Sequence, residues 1–292
     1  MLCWMMEFCT FIFSQQKHSL KIMLLKDKNA IIYGASGSMG GAVARAFAKE
    51  GATVFCTGRT GFSINKLVVE INNSDGKAIA AVIDAMNEKE VNDHLDDVMQ
   101  QSGGIDISFN ATGINNKQGI VLTKMPLNEF IDPVEMTMRT QFITATAAAR
   151  AMMKKKSGVI LTLTATPGGL GYPMVGGFGP ACAALENFSM HLAVELGVYG
   201  IRVVNIRSGG SPDSRPFREA METNPEVMDV VLGKMRADTM LKRQPLMADI
   251  ANIAVFLASD MAATITGVTI DATAGTTAGI NYRTSEKDFK TK

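Results

Sequence analysis

Seven short runs rich in β-branched and apolar residues recur along this chain, separated by longer stretches with helical spacing. That alternation limits the possible folds more than any other feature. The runs fall at Lys28–Tyr33, Thr53–Thr57, Ala78–Ile83, Ile105–Phe109, Gly158–Thr164, Ile201–Ile206 and Thr269–Ala272. Several are apolar on both faces, ILTLT at 160–164 among them, which suits strands covered by helices on either side. The clearest helical stretches are Ser38–Glu50, Glu88–Gln101, Leu127–Lys155 and Gly179–Tyr199. Together they predict an α/β fold: one doubly wound domain with a mainly parallel seven-stranded sheet and helices on both faces. A chain of 292 residues has the length for two domains, but no repeat, linker or low-complexity tract divides it.

Composition narrows the class. Hydrophobic residues make up 47% and charged residues 20%, which excludes a disordered chain. A formal net charge of +1 leaves no electrostatic footprint for nucleic acid or an anionic membrane, and the expected partner is a small molecule, apolar if the Met-rich insert at about 208–245 lines its site. The 3 His, at His18, His94 and His191, are too few and scattered for a His-based metal or triad site, and no metal is expected. Cys3, Cys9, Cys56 and Cys182 form no CxxC, which points to reduced thiols and the cytoplasm.

Residues 2–13 (LCWMMEFCTFIF) are apolar but too short to span a bilayer, and they lack the basic start of a signal peptide. Met23 opens MLLKDKNAIIYGASG, so residues 1–22 are expected to lie outside the fold and 23–292 to form the domain. The alternative is an arm that packs on the domain or contacts another subunit. The longest irregular insert, about 208–245, is expected to carry one or two lid helices over the C-terminal edge of the sheet, where such folds bind ligands. It contains Met221, Met228, Met235 and Met240, suited to irregular apolar ligands, beside Arg215, Arg218, Lys234, Arg236, Lys242 and Arg243.

The first strand leads directly into Gly34-Ala35-Ser36-Gly37-Ser38-Met39-Gly40 and then a helix. Glycines let a backbone approach a pyrophosphate, whose charge is stabilised by the free N–H groups of the helix N-terminus. This turn predicts a dinucleotide site formed by Gly34, Ser36, Gly37, Ser38, Met39 and Gly40. At the end of the second strand, Arg59 stands where an acidic residue would hold a ribose 2′-hydroxyl. A guanidinium there favours a 2′-phosphate, hence NADP(H) over NAD(H).

These motifs, with others in the same order, resemble the short-chain dehydrogenase/reductase family over roughly residues 26–280. GASGSMG resembles the family's TGxxxGxG turn, with Tyr33 for its Thr and Ser38 for its middle Gly. Asp84 in VIDA matches the residue that contacts adenine. Asn110-Ala111-Thr112-Gly113 is similar to NNAG, placing Asn110 and Gly113 at the cofactor. Ala181–Ile206 resembles the long central helix and following strand, and Ile265-Thr266-Gly267 the ITG before the last strand. The resemblance implies a Rossmann-type fold, oxidoreductase activity, and a homodimer or homotetramer packed through two long central helices.

It also implies an Asn-Ser-Tyr-Lys catalytic set, and the matching positions hold Thr137, Ala165, Phe178 and Cys182. No YxxxK occurs anywhere in the chain. A positioned acid is worth about 10²–10⁴ in rate, so the usual mechanism is not expected. Cofactor binding is expected to be weaker, because Cys182 cannot make a lysine's two ribose contacts. Asp213, near a position that meets cofactor phosphate, would repel it unless turned away. Tyr172, in the Gly168–Gly179 loop, is the tentative proton donor; Thr164 and Thr166 are candidates for orienting a ligand oxygen. Cys182 without a neighbouring His reads as an inert thiol, and the direction Glu186 faces is left open. Two functions therefore stand: an NADP(H)-dependent oxidoreductase with a non-standard proton source, or a non-catalytic, cofactor-sensing or assembly partner of an active relative.

Overall fold

The computed structural model describes residues 22–279. Nearly all of the expected N-terminal extension thus lies outside the described residues, as do 280–292. Seven strands, β1 (Asn29–Tyr33), β2 (Thr53–Gly58), β3 (Lys77–Val82), β4 (Ile107–Asn110), β5 (Gly158–Ala165), β6 (Ile201–Ser208) and β7 (Val268–Ala272), form one sheet. Their order is β3-β2-β1-β4-β5-β6-β7, and every pair is parallel. The order reverses between β1 and β4, which opens a crevice at the C-terminal ends of those two strands.

The connecting helices are α1 (Ser38–Lys49), α2 (Gly61–Asn72), α3 (Glu88–Ser102), α4 (Leu127–Lys155) and α5 (Phe178–Leu196). After β6 come α6 (Arg215–Thr223), α7 (Pro225–Asp238) and α8 (Met247–Ala258), and the short α9 (Thr276–Gly279) follows β7. Alternate residues of β1 send Ala30 and Ile32 to one layer and Ile31 and Tyr33 to the other. The first layer joins Val43 and Phe47 of α1, Leu67 of α2 and Ile250 and Ala254 of α8. The second joins Val91 and Leu95 of α3, Ala148 and Met152 of α4 and Leu192 and Leu196 of α5. Local signals mark some ends clearly. Asn87 Oδ1 accepts the N–H groups of Lys89 and Glu90 at the start of α3, and Gly103 ends it at φ 74.

Three departures from the sequence-based expectation have physical reasons. β4 starts two residues late because the Asn29 N–H is taken by the Asp106 carboxylate, which also accepts the Lys155 ammonium, instead of by a backbone carbonyl of the residues before it. α2 opens on a glycine without a side-chain cap, so its start carries no local signature, although Ile64, Leu67 and Ile71 are spaced for one buried face. On the α5 side of the sheet, the C-terminal parts of β5, β6 and β7 are polar. Registered rows read Thr162, Asn205, Thr269 and then Thr164, Arg207, Asp271. Among the described residues no helix is long and apolar enough to cross a membrane.

Candidate functional site

The turn after β1 is built for close backbone approach. Gly34 has φ +73, and a Cβ there would press on the Ala111 carbonyl and Thr112. A Cβ on Gly40 would overlap the Gly34 carbonyl oxygen, so α1 can lie against the turn only with glycine at that place. Gly37 is the N-cap of α1; it supplies no side-chain acceptor, and the first turn of the helix contains no acidic residue. The N-terminal partial positive charge of α1 therefore has no carboxylate of its own to offset it. The Ser36 hydroxyl lies beside Gly58 at the end of β2, and Met39 is packed against the core, leaving its backbone to face the turn. These features fit a pyrophosphate.

Around the turn stand the other residues singled out by sequence. Arg59 is exposed just beyond β2 and makes no ion pair among the described residues. Asp84 accepts the Met86 N–H through Oδ1 at 3.0 Å and borders an open recess of about 770 Å³ with Met86, Asn87 and Glu88. Asn110 is buried and used internally. Its amide donates to Thr144 Oγ1 at 2.9 Å, its side-chain oxygen accepts the Thr112 N–H at 2.9 Å, and its carbonyl accepts Gln141 Nε2 at 3.2 Å. It braces the exit of β4 against α4, so the exposed Gly113 follows a fixed loop. Asp213 is engaged at the start of α8, where both carboxylate oxygens accept the Met247 N–H, at 3.1 and 3.2 Å.

Of the four positions that the sequence resemblance matches to a catalytic set, Ala165, Phe178 and Cys182 flank the β5–α5 connection and Thr137 lies in α4. Thr137 is buried in α4, and its Oγ1, like that of Thr112, has no hydrogen-bond partner among the described residues. Both residues line a small, partly open cavity of about 10 Å³ with Gln141, Leu163 and Leu185, room for about a single water. Ala165 ends β5, Phe178 begins α5, and Cys182 sits one turn further on, 1% exposed. Burial pushes the Cys182 thiol up to about 11, so a thiolate nucleophile is not populated near neutral pH. Tyr172 is half-buried, and burial followed by the Asp238 charge raises its phenol above the ordinary value, which makes it a weaker acid. The loop carrying it is joined to the β4–α4 loop by the Gly119 N–H donating to the Met174 carbonyl at 2.8 Å.

Sequence reasoning missed the strongest polar cluster here. Arg207 Nε donates to Glu186 Oε1 at 2.9 Å and Nη2 to Oε2 at 2.5 Å, while Nη1 reaches Asp271 at 3.2 Å. Thr164 Oγ1 donates to the same Glu186 at 2.8 Å, and Thr166 Oγ1 to the Ser208 carbonyl at 3.4 Å. The hydrogen bond to Glu186 raises the Arg207 guanidinium further above its ordinary value, so it stays charged. Gly168 and Gly169 lie flush on it: a Cβ on Gly168 would strike Glu186, and one on Gly169 the guanidinium. No group of three or more His, Cys, Asp or Glu among the described residues could hold a metal.

A sheet of this order, with a glycine turn at its switch point and helices on both faces, defines the Rossmann-type class of dinucleotide folds. The chain belongs to the short-chain dehydrogenase/reductase family: residues 34–277 match the family model described as Enoyl-(Acyl carrier protein) reductase. A 3-oxoacyl-[acyl-carrier-protein] reductase of Pseudomonas aeruginosa is 29% identical over 253 residues, 87% of this chain and 98% of that one. Short chain aldehyde dehydrogenase 1 of Euphorbia lathyris is 27% identical over 250 residues, 84% and 86% of the two chains. Crystal structures share the fold. Levodione reductase superposes with a TM-score of 0.81 at 23% identity over 87% of this chain and 99% of that one. NAD+-bound xylitol dehydrogenase reaches 0.79 at 22%, over 86% and 99%.

Proposed function

We propose that this chain binds NADP(H) at the Gly34–Gly40 turn and is an oxidoreductase working without the family's Tyr-Lys pair. The observation that carries the cofactor half is the uncapped N-terminus of α1, set against glycines that admit no Cβ, with unpaired Arg59 at the end of β2. The α1 N–H groups hold the pyrophosphate, Asp84 and Gly113 flank the nucleosides, Asn110 fixes the loop beneath them, and Arg59 meets the 2′-phosphate. A bound nicotinamide supplies or accepts hydride.

The positions that would handle the proton hold Thr137, Ala165, Phe178 and Cys182, and the raised Tyr172 phenol is a poor substitute. Substrates whose product takes its proton from water suit this site better than simple ketones. An activated C=C bond is one, as the family model's description suggests. The apolar substrate enters between the Gly168–Gly179 loop and the 208–245 lid. Exposed Phe142 on α4 and Val194 on α5, with exposed Val198 just beyond the end of α5, support a homodimer or homotetramer. Buried, unpaired Cys56 and Cys182 suit the cytoplasm. The same vacated positions favour a second reading, a non-catalytic cofactor-sensing or assembly partner of an active relative.

Fluorescence titration with NADPH and NADH, followed by a screen of carbonyl and enoyl substrates, tests both. NADPH is expected to bind at least tenfold tighter than NADH, and Arg59→Gln to remove most of that preference. Turnover with an enoyl substrate supports the enzyme, and tight binding without turnover supports the partner. Failure of both dinucleotides to bind defeats both.

A further inference from the structure

The insert between β6 and α8 touches the nucleotide turn through a hydrogen bond that sequence reading did not anticipate. Ser38 Oγ accepts the backbone N–H of Arg215 at 2.9 Å, a contact between residues 177 apart in the chain. Ser38 is the first residue of α1, and Arg215 the first of α6. The N-cap of α6, Ser214, gives its own helix no side-chain hydrogen bond, so Ser38 supplies from outside the acceptor that local sequence does not. Burial does little to hold this helix, since α6 contains no buried residue and α7 only Asp238. Arg218 Nη1 donates to the Asp213 carbonyl at 2.5 Å, and the Asp213 carboxylate is tied to Met247. The segment is therefore held by a few polar stitches, one of them on the dinucleotide turn.

We propose that Ser38 is a latch: its hydroxyl fastens α6 to the turn, and a pyrophosphate approaching the α1 N-terminus competes with α6 for the same corner. This rests on the dinucleotide reading above. Ser38 stands where a glycine would let the backbone approach the phosphates most closely, and it adds there a Cβ and a hydroxyl already engaged by α6. The chain thereby gives up cofactor affinity for a fastened lid.

Hydrogen exchange and NADPH titration on Ser38→Gly and Ser38→Thr in the full chain test this. Ser38→Gly is expected to speed exchange of the α6 amides about three- to tenfold, the effect of one lost hydrogen bond, with β1 and α5 amides unchanged. It is also expected to tighten NADPH binding about threefold or more. Ser38→Thr keeps the hydroxyl and should exchange as the wild type does. Unchanged α6 exchange in Ser38→Gly overturns the latch, and weaker NADPH binding overturns the competition. If neither the wild type nor Ser38→Gly binds NADPH or NADH, the dinucleotide reading fails, and the exchange pattern still decides the latch.

Discussion

The two ends of the sheet solve the same problem in opposite ways. Around β1 and β2, backbone comes close to backbone: Gly34 abuts Ala111, Gly40 lies on Gly34, and the N-terminus of α1 is left without a side-chain cap. Around β5, β6 and β7, side chains fill the corresponding space with charge, as Glu186, Arg207 and Asp271 bridge α5 and two strands under the glycines of the next loop. The first region offers donors to an incoming anion. The second turns the Arg207 donors inward, onto Glu186 and Asp271.

The largest effect expected from breaking this contrast is on stability. Arg207→Ala leaves two carboxylates without their partner and should cost about 3 kcal/mol in urea denaturation. Arg45→Ala, which removes the exposed pair with Glu70, should cost under about 1 kcal/mol. Similar costs for the two would mean that the β5–β7 cluster is solvated rather than structural. Next comes Phe178→Tyr combined with Cys182→Lys, expected to raise NADPH-dependent ketone reduction about 10²-fold. The new lysine must pass Gly168, which lies over Cys182. Unchanged turnover with NADPH affinity intact would show a site rebuilt around its ion pair instead of one merely emptied.

On the nucleotide side, Gly40→Ala should cost about 2 kcal/mol by overlap with the Gly34 carbonyl and weaken NADPH more than tenfold. Retained affinity would dissociate the turn from the cofactor. The smallest effect concerns acid. Burial lowers the His94 pKa below the ordinary 6.5, opposed by the Asp97 charge. Below about pH 6.5 the unfolded chain binds the proton more readily, so stability falls as pH drops through that point toward the lower folded value. His94→Leu should flatten that slope below pH 6.5 in denaturation curves taken at each pH. An unaltered slope would place the acid response elsewhere.

Much of the nucleotide half was legible because its signals are local. The turn at 34–40 lies between a β-branched strand and an amphipathic helix, and glycines announce themselves where backbone must meet backbone. The sheet could be inferred for the same reason, since seven apolar runs separated by helices leave few arrangements. The cluster at the other end was not legible. Glu186 and Arg207 are brought together by the packing of α5 on β6, and nothing in either local sequence marks them as partners. The Ser38–Arg215 bond is hidden for a stronger reason, because a backbone N–H carries no residue identity at all. Asp213 looked like an obstacle to phosphate until its acceptor role at α8 was visible.

The strand order has a consequence for how this chain reaches its native state. β1 joins β2 through a contact between Thr57 and Ile32, 25 residues apart, whereas its other flank is sealed by segments such as Asn29 and Asp106, 77 apart. Closing the longer loop costs only about 1 kcal/mol more in chain entropy, but long-range pairing is slow to form. Gly34 takes up its place against Ala111 only when β4 has docked. The nucleotide turn is therefore completed late, with the middle of the sheet. A ligand bound there would stabilise the whole domain against global unfolding rather than just its first βαβ unit.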